Sequence, residues 1–164
     1  MVVDALPLHR VPTDVGTLLS ASLEPLTRQA AANDITLRLA VQDDLPAVLI
    51  DGYKIAWAVT TLVGNALRYV RHGSHSMPGG SIEVLVVSNP GRRAVTIEVR
   101  DDGPGISTNQ LRELFTGEPG KSGTALSLMM IRDVAAAHGG QAEVESCTDR
   151  LRSGTTVRLT LPVA

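Results

Sequence analysis

The chain has 164 residues, of which 43% are hydrophobic, so it can bury one substantial core and a single domain is expected. A net charge of −2 and an aromatic content of 2% argue against a nucleic-acid-binding surface. The lone cysteine, Cys147, excludes an internal disulfide, and residues 1–10 lack a signal-peptide pattern, so a cytoplasmic location without direct membrane contact is expected.

The first half of the chain is predicted to alternate between helices and strands. A helix is expected over 13–33, with Thr13 or Asp14 as its N-cap, because leucines recur on one face. Strands are predicted at 35–41, where polar and apolar residues alternate, and at 46–50. Asp51 can then cap a second helix that continues through the stretch 60–70.

The second half continues this mixture without repeats or low-complexity segments. The predicted elements, in order, are a loop at 71–81, strands at 82–87 and 94–100 joined by a turn at 89–92, a short helix at 107–115, a loop at 116–123, a helix at 124–138, and strands at 141–146 and 155–161. This order predicts an α/β (α+β) two-layer sandwich, in which one sheet is covered by helices on one face.

The first candidate functional residue is Asn65, which lies in an otherwise apolar part of the second helix. Arg68 and Tyr69 follow three and four residues later, so all three side chains are expected on one side of that helix. An amide oxygen suits a hard cation such as Mg²⁺. The alternative is an asparagine that is hydrogen-bonded within the core.

The second candidate is the sequence RDDGPGIS at 100–107, which directly follows a predicted strand. Asp101 at the strand end could accept a hydrogen bond from an exocyclic amine such as N6 of adenine, and Gly103 and Gly105 would let the backbone approach a flat ring. The alternative is an ordinary turn, since Asp, Gly and Pro are the usual turn residues.

The third candidate is a glycine-containing loop that runs into a helix N-terminus within 120–140. Backbone N–H groups at such a terminus, together with the helix dipole, favour phosphate groups. Each feature is weak by itself, but the order of the three at these separations is specific.

This order resembles the ATP-binding domain of the GHKL superfamily, and within it the catalytic domain of two-component sensor histidine kinases. The likeness covers 12–162: its segments are NALRY, which looks like the N box, DDGPG, which looks like the D-x-G-x-G box, GTALSL…HGG, which looks like the second glycine box, and GTTVRLTLP, which looks like the closing strand. The resemblance implies a Bergerat-type fold, with a mixed, mostly antiparallel sheet covered on one face by about three helices.

The resemblance also implies which residues bind Mg·ATP. Asn65 would hold Mg²⁺ against the phosphates, and Asp101 would accept the adenine amine. The other positions matching phosphate-binding residues are Arg68, Lys121 and the N–H groups of Gly123, Thr124, Ala125 and Leu126. The other positions matching the base pocket are Tyr69, Gly103, Gly105, Ile106 and one of Thr155 and Thr156, which face opposite ways. No residue is assigned as catalytic.

The chain departs from the family pattern in three places and lacks one segment. Thr61 replaces the first asparagine of the N box, and Ala125 and Ser127 replace glycines of the second glycine box. No phosphoacceptor histidine is recognisable, because His9 lacks the context of a helical hairpin. We therefore expect a catalytic and ATP-binding domain at 12–164, preceded by a lead at 1–11.

The expected partners are ATP, upstream dimerisation and phosphoacceptor helices that are absent from this chain, and a response regulator. By itself the domain is expected to be monomeric. Two rival functions remain open, an anti-sigma-factor type serine kinase and a non-catalytic ATP-sensing module.

Several residues receive purely structural interpretations. Asp102 is interpreted as a solvated turn residue, and His138 as the end of a helix that a left-handed glycine caps. Trp57, Met129 and Met130 are predicted to lie in the core.

Overall fold

The computed structural model describes residues 7–116 and 123–164, without the side chains of 113–116 and 123–125. The helices in these ranges are α1 (Val15–Ala32), α2 (Gly52–Tyr69), α3 (Thr108–Thr116) and α4 (Gly123–Ala137). The strands are β1 (Val11–Thr13), β2 (Thr36–Val41), β3 (Val48–Ile50), β4 (Ser81–Asn89), β5 (Ala94–Asp101), β6 (Gln141–Cys147) and β7 (Gly154–Pro162). Every predicted helix and strand is present, with ends displaced by no more than 2 residues.

Two aspartates begin the two long helices. The side chain of Asp14 accepts the N–H of Thr17 at 3.2 Å, so Asp14 and not Thr13 is the N-cap of α1. The Asp51 carboxylate accepts the N–H groups of Tyr53 and Lys54 at 3.1 and 3.3 Å. Burial opposes ionisation of Asp51, but hydrogen bonds from the backbone of His9 and Lys54 outweigh it and lower the pKa of this carboxyl.

The main sheet has the strand order β2-β4-β5-β7-β6. β2 and β4 are parallel and the other pairs are antiparallel, which confirms the predicted mixed, mostly antiparallel sheet. Valine, isoleucine and leucine side chains on one face of β4, β5 and β7 are buried against α1, α2 and α4. The opposite face carries ion pairs, such as those of Arg158 with Glu98 and Glu145 at 3.2 and 2.9 Å.

A small second sheet lies at the N-terminal end of the described chain. β1 pairs antiparallel with β3, so that Val11 lies opposite Ile50. The strand predicted at 46–50 is therefore present but shorter, and its partner β1 was not predicted. Three residues that include a proline carry no detectable alternation of polar and apolar side chains.

The core predictions for two large side chains are wrong. Trp57 is 38% exposed and Met130 is 47% exposed, whereas Met129 is partly buried against the core. On α4 the buried stripe passes through Leu128 and Ile131. Met130 points away from this stripe because successive helical residues turn by 100°. The same argument applies to Trp57, which precedes the buried pair at 58 and 59.

His138 joins the end of α4 to the beginning of α2. Its ring is 2% exposed, and its Nε2 accepts the backbone N–H of Asp51 at 3.1 Å. The proton therefore lies on Nδ1, which donates to the carbonyl of Val134 at 2.8 Å. Gly139 follows with φ +75°, which confirms the left-handed glycine cap.

We expect His138→Ala to lower the free energy of unfolding by at least about 1–3 kcal/mol, because it leaves the buried N–H of Asp51 without an acceptor. Urea unfolding of the two proteins measures the difference. His75→Ala is the matched control, since that exposed loop histidine should change stability by less than about 0.5 kcal/mol. Equal midpoints for His138→Ala and the parent would show that this hydrogen bond contributes nothing.

Candidate functional site

Three polar residues form a row across neighbouring strands at one end of the sheet. The register places Asp101 of β5 opposite Thr155 of β7, and Thr155 opposite Ser146 of β6. The alternation of side chains puts this row on the same face as the buried Val99 and Val157. The apolar inner face of the sheet therefore ends in hydrogen-bonding groups.

A cavity of about 140 Å³ lies between this row and the helices. It is lined by Leu62, Asn65, Ala66, Tyr69, Val99, Asp101, Pro104, Gly105, Ile106, Gln110, Leu128, Thr155 and Val157. An engineered apolar cavity of about 150 Å³ in another protein admits benzene, so this space is of the size that one flat ring needs. Apolar walls with a few convergent polar groups are typical of a small-molecule site.

Asp101 is the acidic residue of the cavity, and its carboxylate is partly committed. Oδ1 accepts the N–H of Gly103 at 2.8 Å. Burial raises the pKa of Asp101 and the charge of Asp102 adds to that effect, while hydrogen bonds from the backbones of Gly103 and Thr155 act against it. A carboxylate offers about four lone-pair sites, so Asp101 can still accept from a ligand.

Asp102 differs from its interpretation as a solvated turn residue. Its side chain is exposed, but Oδ1 accepts the backbone N–H of Ser81 at 2.8 Å. Asp102 therefore anchors the first residue of β4 beside the end of β5, and the interpretation is wrong in this respect.

The turn after Asp101 requires glycine at one position. Gly105 has φ +82°, and a Cβ built there would lie 2.1 Å from the carbonyl oxygen of Cys147. Gly105 and Ile106 both line the cavity, whereas the buried Gly103 serves it through its N–H bond to Asp101. Close packing of this turn against β6 thus forms one wall of the cavity.

Asn65 lies where the cavity meets a second, more open depression, and it lines both. Its Nδ2 is buried and has no hydrogen-bond partner among the described residues. Buried polar groups are nearly always paired, and the amide oxygen and nitrogen are assigned by their surroundings, so either atom could face a ligand here. The alternative of a fully hydrogen-bonded core asparagine does not describe this side chain.

The second depression is lined by Gln29, Asn33, Thr61, Gly64, Asn65, Leu67, Arg68, His72 and Ser127. The prediction that Asn65, Arg68 and Tyr69 share one side of α2 is therefore only partly right. Tyr69 lines the cavity and Arg68 the depression, because adjacent helical residues diverge by 100°. Asn65 is the residue common to both.

The second turn of α4 borders both spaces. Leu128 lines the cavity and Ser127 the depression, and α4 begins at Gly123. The first four N–H groups of a helix have no acceptor within it, so those of residues 123–126 are available to an anion. The side chain of Leu126 is 53% exposed and lines neither space. Lys121 and the side chains of Gly123, Thr124 and Ala125 lie outside the described residues.

The choice between the adjacent threonines follows from the register. Thr155 lines the cavity opposite Asp101. Thr156 lies opposite Arg100 and Glu145, whose side chains are on the outer face of the sheet. Only Thr155 can therefore take part in the site.

The sequence interpretation missed Ser146, which connects the row to the turn after Asp101. Its Oγ is 2.6 Å from the N–H of Ile106 and 2.9 Å from the Thr155 hydroxyl. One signal was available, because Ser146 falls in phase with the partly buried Ala142 and Val144 of β6. A serine at an inward position of a strand suggests a specific hydrogen bond.

The described ranges, 7–116 and 123–164, hold neither a cluster of metal-ligating side chains nor a membrane-spanning helix. They contain no group of 3 or more His, Cys, Asp or Glu side chains that could hold a metal ion. Mg²⁺ often keeps several waters and binds through one or two protein ligands together with substrate phosphates, so this result does not bear on Asn65. Within the same ranges, none of the helices has the length and apolar character that a membrane span needs.

Comparison with known proteins identifies a family. Residues 50–164 match the family described as histidine kinase-, DNA gyrase B- and HSP90-like ATPase. Sensor histidine kinase ZraS of Escherichia coli (strain K12) is 30% identical over 152 residues, which are 92% of this chain and 30% of the relative. Adaptive-response sensory kinase SasA of Synechococcus sp. (strain JA-3-3Ab) is 28% identical over 96% of this chain and 41% of the relative. The chain thus spans about a third of these relatives.

Solved structures have the same fold. Full-length ShkA in complex with AMPPNP gives a TM-score of 0.79 at 24% identity, covering 98% of this chain and 32% of that chain. The mycobacterial sensor histidine kinase MprB gives a TM-score of 0.74 at 24% identity, covering 94% of this chain and 98% of that chain.

Proposed function

Because the chain belongs to the histidine kinase-, DNA gyrase B- and HSP90-like ATPase family, as the GHKL-like motifs predicted, we propose that its cavity binds the adenine of ATP. The observation that carries the proposal is the position of Asp101 at the polar end of a mostly apolar cavity. The carboxylate would accept the exocyclic amine, and Thr155 would lie beside it. Ile106 and Tyr69 would pack against the base.

The phosphates would extend from the cavity toward the depression that begins at Asn65. Arg68 lines that depression and would contribute a positive charge, and the first N–H groups of α4, one turn before Ser127, would donate to the phosphates. The buried Nδ2 of Asn65, which has no hydrogen-bond partner among the described residues, fits a polar ligand at this junction, and the amide oxygen would hold Mg²⁺. When bound, Mg²⁺ would neutralise charge on the phosphates.

At the level of the whole protein, the domain would present the γ-phosphate of ATP to a histidine on dimerisation helices that are not in this chain. A response regulator would be the next partner of the whole protein. Support comes from the relatives, which are sensor kinases of which this chain spans about a third. Phosphoryl transfer depends mainly on positioning and charge stabilisation, so no residue here need act as a covalent catalyst. A monomeric domain in the cytoplasm is part of the same proposal.

The decisive experiment combines binding with transfer. A fluorescent, non-hydrolysable ATP analogue is titrated into the protein with and without Mg²⁺, and radiolabelled ATP is then supplied with a separate dimerisation and phosphoacceptor hairpin. We expect saturable binding and label on the histidine of the hairpin. Binding without transfer would instead support a non-catalytic ATP-sensing module, and transfer to a serine of an antagonist protein would support a serine kinase.

For Asn65→Ala we expect the Mg²⁺-dependent part of ATP affinity to disappear, while most ADP binding without metal remains. The reason is that the variant removes the amide at the junction but leaves the Asp101 end of the cavity intact. Titrations of ATP and ADP at several Mg²⁺ concentrations measure both quantities. Asn89→Ala, at the far end of β4, is the control. An unaltered Mg²⁺ dependence in Asn65→Ala would exclude Asn65 as a metal ligand.

A further inference from the structure

The hydroxyl of Ser146 makes three contacts that use its full hydrogen-bonding capacity. It donates to the carbonyl of Gly154 at 3.1 Å and accepts the N–H of Ile106 at 2.6 Å. Its third partner is the hydroxyl of Thr155 at 2.9 Å. A serine hydroxyl has one proton and two lone pairs, so the third contact must be one in which Thr155 donates.

This assignment determines what Thr155 can offer to the cavity. Because its proton points to Ser146, the Thr155 hydroxyl can act toward the cavity only as an acceptor. Its neighbour in the row, the ionised Asp101 carboxylate, is also only an acceptor. The two side chains of the row therefore present acceptors alone to the cavity.

The other polar side chains that line the cavity, those of Asn65, Tyr69 and Gln110, lie outside this row. Asn65 lies on α2, at the junction with the depression and not in the row of the sheet. Gln110 is exposed, and its amide oxygen accepts the N–H of Ser107 at 3.0 Å. Within the row, the side chains that can contact a base are thus Asp101 on β5 and Thr155 on β7.

Ser146 also holds the wall of the cavity in place. The bond to Ile106 ties the turn after Asp101 to β6, where Gly105 already packs against the carbonyl of Cys147. Ser146 itself does not line the cavity. It can act on a ligand only through Thr155 and Ile106.

We propose that Ser146 is a positioning residue that directs the Thr155 hydroxyl and thereby makes the site select a 6-amino purine over a 6-oxo purine. The inference rests on the proposed function, since it takes a purine nucleotide as the ligand. An amine donates to both acceptors of the row, whereas an oxo group would place a third acceptor against them. Sites built to hydrogen-bond a donor reject an analogue that lacks it.

The test compares dissociation constants for ATP and inosine triphosphate in the parent, Ser146→Ala and Ser146→Thr. The two bases differ at the 6-position and in the hydrogen that the 6-oxo purine carries on N1. In Ser146→Ala the Thr155 hydroxyl is free to rotate and donate to the oxo group. We expect the preference for ATP to fall at least about tenfold in Ser146→Ala and to be retained in Ser146→Thr. If Ser146 were merely structural, Ser146→Ala would weaken the binding of both nucleotides equally. An unchanged ratio of the two dissociation constants in Ser146→Ala would therefore overturn the proposal.

A second variant separates the hydroxyl from the fold. Thr155→Val, of nearly the same shape, should also reduce the preference for ATP, and it should abolish any gain in inosine triphosphate binding when combined with Ser146→Ala. A gain that persists in the double variant would overturn the role of Thr155. A parent protein that binds neither nucleotide would instead contradict the proposed function itself, which distinguishes the two failures.

Discussion

Asp101→Asn is expected to weaken ATP binding at least tenfold while leaving the ligand-free protein as stable as the parent or more stable. In the variant, the amide oxygen can still accept the N–H of Gly103, which leaves an NH₂ group where a carboxylate oxygen was. Two donors would then face each other at the adenine amine. Loss of a hydrogen bond to a charged group costs about 1.5–3 kcal/mol, which corresponds to a factor of ten or more in affinity.

The stability part of this prediction follows from the direction of the pKa shift. Burial raises the pKa of Asp101 in the folded protein, so the folded state takes up the proton before the unfolded chain does as the pH falls. The ionised carboxylate therefore destabilises the ligand-free protein at neutral pH, and this cost disappears as the pH falls through the folded-state pKa. Asparagine removes the charge at every pH.

The same shift predicts a pH dependence of binding. Protonated Asp101 cannot accept the amine at the protonated oxygen, so ATP affinity should begin to fall at a higher pH than for an ordinary aspartate. Nucleotide titrations measure the pH dependence of affinity, and urea unfolding measures that of stability. Both are done from about pH 4 to about pH 8, a range that covers the usual titration of carboxyl groups. Asp102→Asn is the control of equal charge change, because Asp102 does not line the cavity. Equal ATP affinities for Asp101→Asn and Asp102→Asn would contradict the adenine assignment.

Gly105→Ala is expected to produce the second large effect, a loss of both stability and nucleotide affinity. An alanine at φ +82° costs roughly 1–2 kcal/mol, and its Cβ would lie 2.1 Å from the carbonyl oxygen of Cys147. Relief of such a contact requires a backbone shift that costs roughly 1–3 kcal/mol more. The shift would move the turn away from β6 and strain the bond between Ile106 and Ser146.

Urea unfolding and ATP titration of the same variant measure the two losses. Gly91→Ala is the matched control, because a Cβ at Gly91 would meet only a side-chain oxygen of Asn89 at 3.9 Å and the residue lies in the turn between β4 and β5. We expect the control to differ from the parent by less than about 0.5 kcal/mol. If Gly105→Ala matched the control in both measurements, the turn would not depend on close packing against β6.

Apart from β1, the sequence by itself determined the helices and strands, their order and the two residues around which the site is proposed. Hydrophobic periodicity and the capping aspartates are local properties, so the ends of the helices could be predicted to within 2 residues. Asn65 and Asp101 could also be identified from local sequence. Asn65 is a polar residue in an otherwise apolar part of a helix, and Asp101 is a carboxylate at the end of a predicted strand. The order of the motifs then indicated the superfamily.

Only the tertiary structure decided how distant segments meet. The pairing of β5 with β7 selected Thr155 over Thr156, and the pairing of β6 with β7 brought Ser146 beside it, although 45 positions separate Ser146 from Asp101 in the sequence. The same is true of the bond from Asp51 to His138, which crosses 87 positions. Periodicity reports which face of an element is buried, but strand register and long-range hydrogen bonds depend on which partner covers that face, and this is a property of the packed chain.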